Sequence, residues 1–173
     1  IQSEIQYPGI PRKETVKMGI QDKIIYDETY TEGIFVGYRW FEHSAIKPTF
    51  PFGYGLSYTT FEYGEPKTSG SIDKGLTVTV PVKNTGSVAG AEIVQVYVSA
   101  PESSVERPVK ELKGFGKIFL ESGKSGEVQV TLDKAAISYF DAQKHDWVAE
   151  KGNYRILVGA SSEDIRKTVD FKY

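Results

Sequence analysis

The stretch Leu76-Thr77-Val78-Thr79-Val80-Pro81-Val82 decides the fold of this chain. Apolar residues occupy every second position, and threonine or proline lies between them. This period of two is typical of a β-strand with one buried face. Since Pro81 cannot donate a ladder hydrogen bond, we expect a sheet edge or a bulge there. The strand is followed by Asn84-Thr85-Gly86, which is a turn signal.

Other segments downstream carry similar strand patterns, separated by turn signals and without a long helical pattern. This arrangement predicts an antiparallel β-sandwich over residues 64–173, which is long enough to bury its own core. The predicted strands lie in residues 91–99, 115–120, 128–132, 154–158 and 169–173.

The second of these strands is apolar on both faces, whereas a sandwich strand normally shows one face to water. Val94, Val96 and Val98 form one row, and Ile93 and Tyr97 lie on the opposite side. Two explanations are open. A loop of this chain covers the second face, or that face docks against another domain.

The first part of the chain, residues 1–63, is rich in aromatic residues but poor in regular periodicity. Residues 23–26 predict a short strand, and residues 30–42 fit either a short helix or a strand. Residues 50–61 combine aromatic rings with Pro51, Gly53 and Gly55, which predicts a bend at a junction between two bodies. So little secondary structure cannot enclose so many rings, so we interpret this part as the tail of a larger domain.

Composition excludes several classes of function. The 173 residues carry a net charge of about −2, which gives no footprint for nucleic acid or an anionic membrane, and no apolar run is long enough to span a bilayer. The absence of cysteine removes disulfides, thiolate nucleophiles and cysteine-ligated zinc. The first residue is not methionine, so we expect a processed, cleaved or truncated chain. The compartment is left open, with a secreted or periplasmic location slightly favoured.

The sequence contains few residues in a pattern that indicates catalysis, metal binding or cofactor binding. His43 and His145 lie far apart and lack metal-ligand spacing, and no cofactor fingerprint is complete, so we expect neither a metal nor a cofactor. Glycosidases need two carboxylates, but nothing pairs the candidates in the first part of the chain, and we interpret them as solvated or structural charges. Those candidates are Asp27, Glu28, Glu32 and Glu42. Direct sugar contacts are conceivable for Trp40, Phe41 and Tyr54, although core packing is the favoured interpretation of these rings.

Three groups of motifs resemble one family. Residues 32–41 (EGIFVGYRWF) and 50–61 (FPFGYGLSYTTF) are similar to the end of the second domain of glycoside hydrolase family 3, β-glucosidase type. Residues 82–86 (VKNTG) with 90–98 (GAEIVQVYV) resemble the start of the C-terminal fibronectin type III-like domain of that family. Residues 107–115 (RPVKELKGF), 152–154 (GNY) and 158–166 (VGASSEDIR) match the rest of it.

The resemblance implies a mainly β fold: an immunoglobulin or fibronectin type III-like antiparallel β-sandwich, residues 64–173, preceded by the tail of an α/β sandwich domain, residues 1–63. It implies a retaining β-glycosidase, most of all a β-glucosidase, in carbohydrate metabolism such as polysaccharide degradation. The family nucleophile and acid/base belong to motifs that this chain does not contain, so no catalytic residue is carried over. Glu32 is the one position left for an unusually late acid/base.

The same resemblance implies a structural role. The partner is then the N-terminal catalytic part of the same enzyme, which binds a β-glucoside or oligosaccharide substrate, and the residues expected at the interdomain contact are Phe52, Tyr54, Ile93, Tyr97, Arg107, Lys110 and Glu111. The alternative is a stand-alone carbohydrate-binding or adhesion module that uses the β-sandwich.

Overall fold

The computed structural model describes residues 32–173 completely, and the backbone of two strands before them. These are β1 (Arg12–Met18) and β2 (Gln21–Asp27), which pair antiparallel with Thr15 opposite Ile24. The strand predicted over residues 23–26 is part of β2. The chain divides into two compact units, residues 1–36 and 37–173.

The second unit begins with a short helix, α1 (Tyr38–His43), which settles the choice left open over residues 30–42 for that part of the segment. Ten strands and one short 3₁₀ helix, Lys134–Ile137, follow. The strands are β3 (Phe61–Tyr63), β4 (Lys67–Ser71), β5 (Gly75–Asn84), β6 (Gly90–Ser99), β7 (Glu111–Leu120), β8 (Ser125–Leu132), β9 (Ser138–Asp141), β10 (Asp146–Ala149), β11 (Asn153–Gly159) and β12 (Ile165–Lys172).

Two antiparallel sheets form the predicted β-sandwich, which the structure confirms. In the first, β8 pairs with β5 from Leu76 to Lys83, so β3 and β4 share the opposite side of β5. The second sheet has the order β12-β11-β6-β7, and β9 and β10 form a separate hairpin. Five of the six strands predicted for the sandwich lie within β5, β6, β7, β8 and β11, and the sixth, residues 169–173, overlaps β12.

The core lies between the two sheets and is built from the alternating rows that the sequence predicts. In β5, Leu76, Val78, Val80 and Val82 are buried, and the valines of β6 face them from the second sheet. Close approach of β7 and β8 requires glycine, because a Cβ on Gly114 would lie 2.4 Å from Cγ1 of Val130.

The expectation at Pro81 is wrong about an edge, because β5 is internal, but the sheet does carry a bulge there. Tyr63 pairs with Val82 and Lys67 pairs with Thr79, so the three residues 64–66 lie opposite only Val80 and Pro81. Strand β5 is internal, and its register with β8 runs without interruption through the pair Pro81 and Glu127. On the other side, the Pro81 carbonyl accepts a hydrogen bond of 2.9 Å from the Gly64 backbone N–H, between the end of β3 and the start of β4. The nitrogen of Pro81 faces the same gap, because both backbone groups of a residue in an antiparallel strand point to one side. The missing N–H therefore removes no ladder hydrogen bond.

Candidate functional site

The outer face of β6 is covered by a segment of the same chain. Tyr97 is fully buried and Gln95 is 5% exposed, although both lie on the row opposite the valine core. The cover comes from α1 and from residues 50–61, which we call the aromatic loop and which include Phe52. For Tyr97, the explanation of a loop folded over the sheet is therefore the one that the structure supports.

Three aromatic rings form the centre of this contact. Tyr38 stacks on Phe52 with 5.1 Å between ring centroids, and it meets Tyr97 edge-on at 6.0 Å. The Tyr38 hydroxyl accepts a hydrogen bond of 2.8 Å from the backbone N–H of Leu112 in β7. Burial raises the pKa of Tyr38 and that of Tyr97, so both hydroxyls stay protonated at neutral pH. Tyr38 thus joins the helix, the loop and the sheet.

Gly53 explains the bend predicted at residues 50–61. The Gln95 side-chain amide donates hydrogen bonds to the Ala160 carbonyl (2.7 Å) and the Gly53 carbonyl (3.4 Å). Its oxygen accepts a hydrogen bond from the Tyr97 hydroxyl. A Cβ on Gly53 would lie 2.1 Å from Nε2 of Gln95, and φ at Gly53 is +82°. Both the conformation and the space therefore demand glycine.

The end of the aromatic loop is fastened by a buried amide. Asn84 is fully buried, and its Oδ1 accepts from the Thr59 hydroxyl (2.6 Å) and the Gly86 N–H (3.0 Å). Its Nδ2 donates to the carbonyls of Val88 (2.8 Å) and Leu120 (2.9 Å). The turn signal seen in the sequence at Asn84 is therefore also a tether between the loop and the sandwich.

A mostly buried ion pair joins α1 to the segment before β7. The Lys110 ammonium contacts the Glu42 carboxylate, and its Nζ lies 5.9 Å from the centre of the Tyr97 ring. The second oxygen of Glu42 is buried and has no hydrogen-bond partner within residues 32–173. Glu42, a carboxylate considered for catalysis, thus carries a structural charge in this chain.

A second charged cluster lies around Glu111 at the start of β7. Its carboxylate is 3.0 Å from Nη2 of Arg107, 3.4 Å from Nζ of Lys113 and 3.7 Å from Nη1 of Arg39. Arg107 also donates to the carbonyls of Ile137 (3.0 Å) and Ser138 (3.4 Å). Burial lowers the pKa of Lys113, because its charge loses hydration that Glu111 does not fully replace.

Much of the aromatic loop remains open to solvent. Leu56 and Tyr58 are almost fully exposed, Phe50 is 70% exposed, and Phe52 and Tyr54 are half exposed. Ile93 of β6 is exposed as well, and with Tyr54 it lines a groove of about 660 Å³. Contiguous exposed apolar strips of this kind are typical of interaction surfaces.

The structure brings most of the predicted contact residues to one face. Tyr97, Phe52 and Lys110 are linked through Tyr38 and Glu42, and Arg107 pairs with Glu111 beside them. The candidates for sugar contact are separated: Trp40 lies on α1 with its ring 6.4 Å from His43, Phe41 is a partly buried neighbour, and Tyr54 lies on the loop 5.4 Å from Phe50. Sequence reasoning did not single out Tyr38, Arg39 or Gln95. A polar residue between Val94 and Val96 was the available signal for Gln95.

Within residues 32–173, no group of three or more acidic or histidine side chains is placed to hold a metal ion. Of the earlier carboxylate candidates, Asp27 and Glu28 lie outside the residues whose side chains are described.

No helix in the described part of the chain is long and apolar enough to cross a membrane.

Comparison with known proteins agrees with these features. The model of the fibronectin type III-like domain matches residues 92–162. A β-glucosidase of Bacteroides ovatus is 46% identical over 98% of this chain and 21% of its own length. The thermostable β-glucosidase B of Acetivibrio thermocellus is 52% identical over 79% of this chain and 18% of its own. The chain therefore spans about one fifth of the length of these relatives.

Solved structures give the same result. A family 3 glycoside hydrolase, the β-glucosidase of Bifidobacterium adolescentis, superposes with a TM-score of 0.82 at 37% identity and covers 99% of this chain and 23% of its own. The β-glucosidase of Kluyveromyces marxianus in complex with glucose gives a TM-score of 0.81 at 50% identity over 84% of this chain and 18% of its own. Over almost its whole length, the chain thus matches the C-terminal fragment of β-glucosidases of glycoside hydrolase family 3.

Proposed function

We propose that this chain is the C-terminal portion of a retaining β-glycosidase, most of all a β-glucosidase, that hydrolyses terminal β-linked sugars. The observation that carries the proposal is the match to β-glucosidases over 98% of the chain but only 21% of the relative. In this proposal the nucleophile and the acid/base come from the N-terminal catalytic part of the same enzyme. The segment itself is structural.

Residues 1–63 complete the second domain in this proposal, and residues 64–173 form the sandwich that braces the active-site domains. The ion pair between Glu42 and Lys110 then joins the two domains, as does the contact between Tyr38 and Tyr97. Both contacts are desolvated, which makes them geometrically specific even where their net contribution to stability is modest. They support a fixed orientation of the sandwich.

The exposed apolar residues give the docking surface for the catalytic part. Phe52, Tyr54 and Ile93 present apolar area that this chain leaves uncovered, and burying it contributes roughly 25 cal/mol per Å². At the charged end of the same face, Glu111 is partly exposed, whereas Arg107 and Lys110 are largely buried by contacts within this chain and support the face from beneath. The surface thus combines an apolar strip with a charged margin, as protein interfaces do.

Activity against an aryl β-glucoside tests the proposal. The 173-residue chain should give no turnover, whereas the complete polypeptide should hydrolyse the substrate. Turnover by the chain alone, or an inactive but folded complete polypeptide, would contradict it. An Ile93→Asp variant should remain folded as the isolated chain but lower the melting temperature of the complete enzyme, with the surface change Lys172→Asp on β12 as the control.

A stand-alone carbohydrate-binding module is the second candidate, and one observation favours it. Phe140 and Trp147 are both more than half exposed on the hairpin of β9 and β10, and aromatic rings are common sugar platforms. Their rings, however, meet at 73° with centroids 5.8 Å apart, so they do not form one flat platform. Retention of the isolated chain on cellulose, xylan or chitin, lost in Trp147→Ala, would support this candidate, and passage of the chain through all three would remove it.

A further inference from the structure

We infer that the cations around Glu111 receive a second carboxylate, which the N-terminal part of the complete enzyme supplies when the domains assemble. This inference rests on the proposed function and specifies the chemistry of its docking surface. The partner group would lie between Arg39 and Lys113 at the margin of the cluster.

The charges of the cluster are unequal. Within 4 Å, Arg39, Arg107 and Lys113 share the single carboxylate of Glu111. Glu150 interacts with Arg107 from a greater distance, so the excess of positive charge lies at Arg39 and Lys113. The neighbouring pair of Glu42 and Lys110 is neutral and supplies no compensation. In a partly desolvated site such an excess is unfavourable, and the depressed pKa of Lys113 agrees with that.

The three cations differ in what they can still bind. Arg107 is 8% exposed at its side chain and donates to Glu111 and to two backbone carbonyls, so it belongs to the interior. Arg39 is about one third exposed, and its distance of 3.7 Å to Glu111 is too long for a hydrogen bond. Within the described residues, the Arg39 guanidinium has no hydrogen-bond acceptor. As far as residues 32–173 are concerned, the planar guanidinium of Arg39 can therefore accept a carboxylate at the margin of the cluster.

The free donors favour a carboxylate. A guanidinium binds a carboxylate through two parallel N–H···O hydrogen bonds, and Lys113 adds a point charge beside it. A nucleic-acid phosphate does not suit a chain whose net charge is about −2. Val109 and Phe115, which flank the cluster along the chain, are exposed and apolar, which is the setting of a protein contact.

The N-terminal part of the same enzyme is the occupant for two reasons. The relatives are about five times longer than this chain, so most of the enzyme surface that could face the cluster is outside it. The cluster also adjoins the covered face of β6, since Tyr38 next to Arg39 binds Leu112 next to Glu111. The proposed contact thus extends an interface that the chain already forms internally.

Carbodiimide cross-linking of the complete enzyme tests the inference, because this reagent joins an amine only to a carboxylate in direct contact. Peptide mapping should find Lys113 joined to an Asp or Glu that precedes this chain. Exposed Lys172 on β12 serves as the reference amine. Linkage of Lys113 to Glu111 alone, or no linkage of Lys113, would overturn the inference.

A thermal measurement separates the contact from folding. Arg39→Gln should leave the melting temperature of the isolated chain within about 1 °C and lower that of the complete enzyme by at least about 2 °C. The control is Arg155→Gln, since Arg155 is exposed and paired with Asp170. Equal shifts in both proteins would overturn the inference. Hydrolysis of an aryl β-glucoside by the wild-type complete enzyme is scored separately, so loss of the proposed activity is distinguishable from loss of this contact.

Discussion

Between Val94 and Val98, both faces of strand β6 are buried, but different interactions bury them. On the inner face, Val94, Val96 and Val98 contact other apolar residues of the core and need no directed partner. On the outer face, Gln95 and Tyr97 are held by hydrogen bonds, an edge-on ring contact and a nearby ammonium. The inner face needs only apolar side chains of suitable volume, whereas the outer face fixes which residues can cover it.

The inner face therefore constrains mainly whether the two sheets fold together, whereas the outer face constrains which segment can pack on the sheet. An apolar core tolerates exchange of similar side chains, so it specifies that two sheets pack but constrains their partners weakly. The outer face demands Tyr38, Gly53 and Gln95 in one arrangement, because each provides a contact that a neighbour cannot supply. We therefore expect substitutions on the two faces to differ in kind as well as in size.

The largest expected effect is that of Tyr97→Ala, which removes a fully buried aromatic ring from the outer face. We expect the free energy of unfolding to fall by about 3–5 kcal/mol in urea titrations. Val96→Ala on the inner face is the matched change, and it should cost about 1.5–3 kcal/mol. A larger loss for Val96→Ala than for Tyr97→Ala would show that the outer cover contributes little.

Asn84→Ala should follow in size. The substitution leaves the carbonyls of Val88 and Leu120 and the Thr59 hydroxyl without their buried partner, which we expect to cost about 2–4 kcal/mol. The control is Thr77→Ala on β5, where the hydroxyl contact is exposed and 3.5 Å long. Chemical denaturation of both variants measures the difference, and similar losses would refute a tether at Asn84.

Gly53→Ala tests the outer face of β6 more narrowly. It changes only how closely the aromatic loop packs against Gln95. The added methyl group collides with the Gln95 amide and forces a side chain into the left-handed region, at a cost of about 1–3 kcal/mol. Gly55→Ala is the control, since a Cβ there meets nothing within 4 Å. Amide hydrogen exchange should show faster opening of the loop only for Gly53→Ala, and equal exchange in both variants would argue against this fit.

The smallest expected effect concerns Glu92, an acidic residue on the inner row of β6. Burial raises the pKa of Glu92 above the usual 4.5. The Tyr63 hydroxyl donates a hydrogen bond of 2.8 Å to its carboxylate. The folded state therefore binds the proton more tightly, so the contribution of Glu92 to stability falls as pH rises through its folded pKa.

Glu92→Gln keeps the acceptor for Tyr63 but removes this titration. The variant should match the wild type below pH 4.5 and become more stable than it as pH increases toward 7. Urea unfolding at several pH values measures the gap. A gap that closes with rising pH would reverse the sign of this assignment.

Period-two patterns allowed most of the fold to be predicted. They located β5, β6, β8 and β11, because in each of these strands one row of apolar residues faces the core. Strand β4 is different: its sequence Lys-Thr-Ser-Gly-Ser contains no apolar residue, and all five positions are exposed. It is a strand because β5 offers it an unpaired side, which a local pattern cannot reveal. The short strands β3, β9 and β10 escaped prediction for similar reasons.

The site was predictable only in part. Tyr97 was noticeable as a large apolar residue on the wrong face of its strand, and the family resemblance named Lys110 and Glu111. The contacts of Tyr38 and of Gly53 join residues far apart in the chain, such as Gly53 and Gln95, so local sequence gave no indication of them. Residues 51–54 form a turn within the segment interpreted as a bend. Gly53 allows this turn by its φ of +82°, and the Gln95 amide holds it against β6.

The divided side of β5 also affects how this protein behaves at high concentration. An uninterrupted outer strand would offer another molecule a continuous row of free backbone groups, which is how sheets grow between chains. Here that row is split into β3 and β4 by the irregular residues 64–66, which include Pro66 and lie opposite Val80 and Pro81. Neither short strand can template a long intermolecular ladder, so the two prolines protect this margin of the sandwich against aggregation.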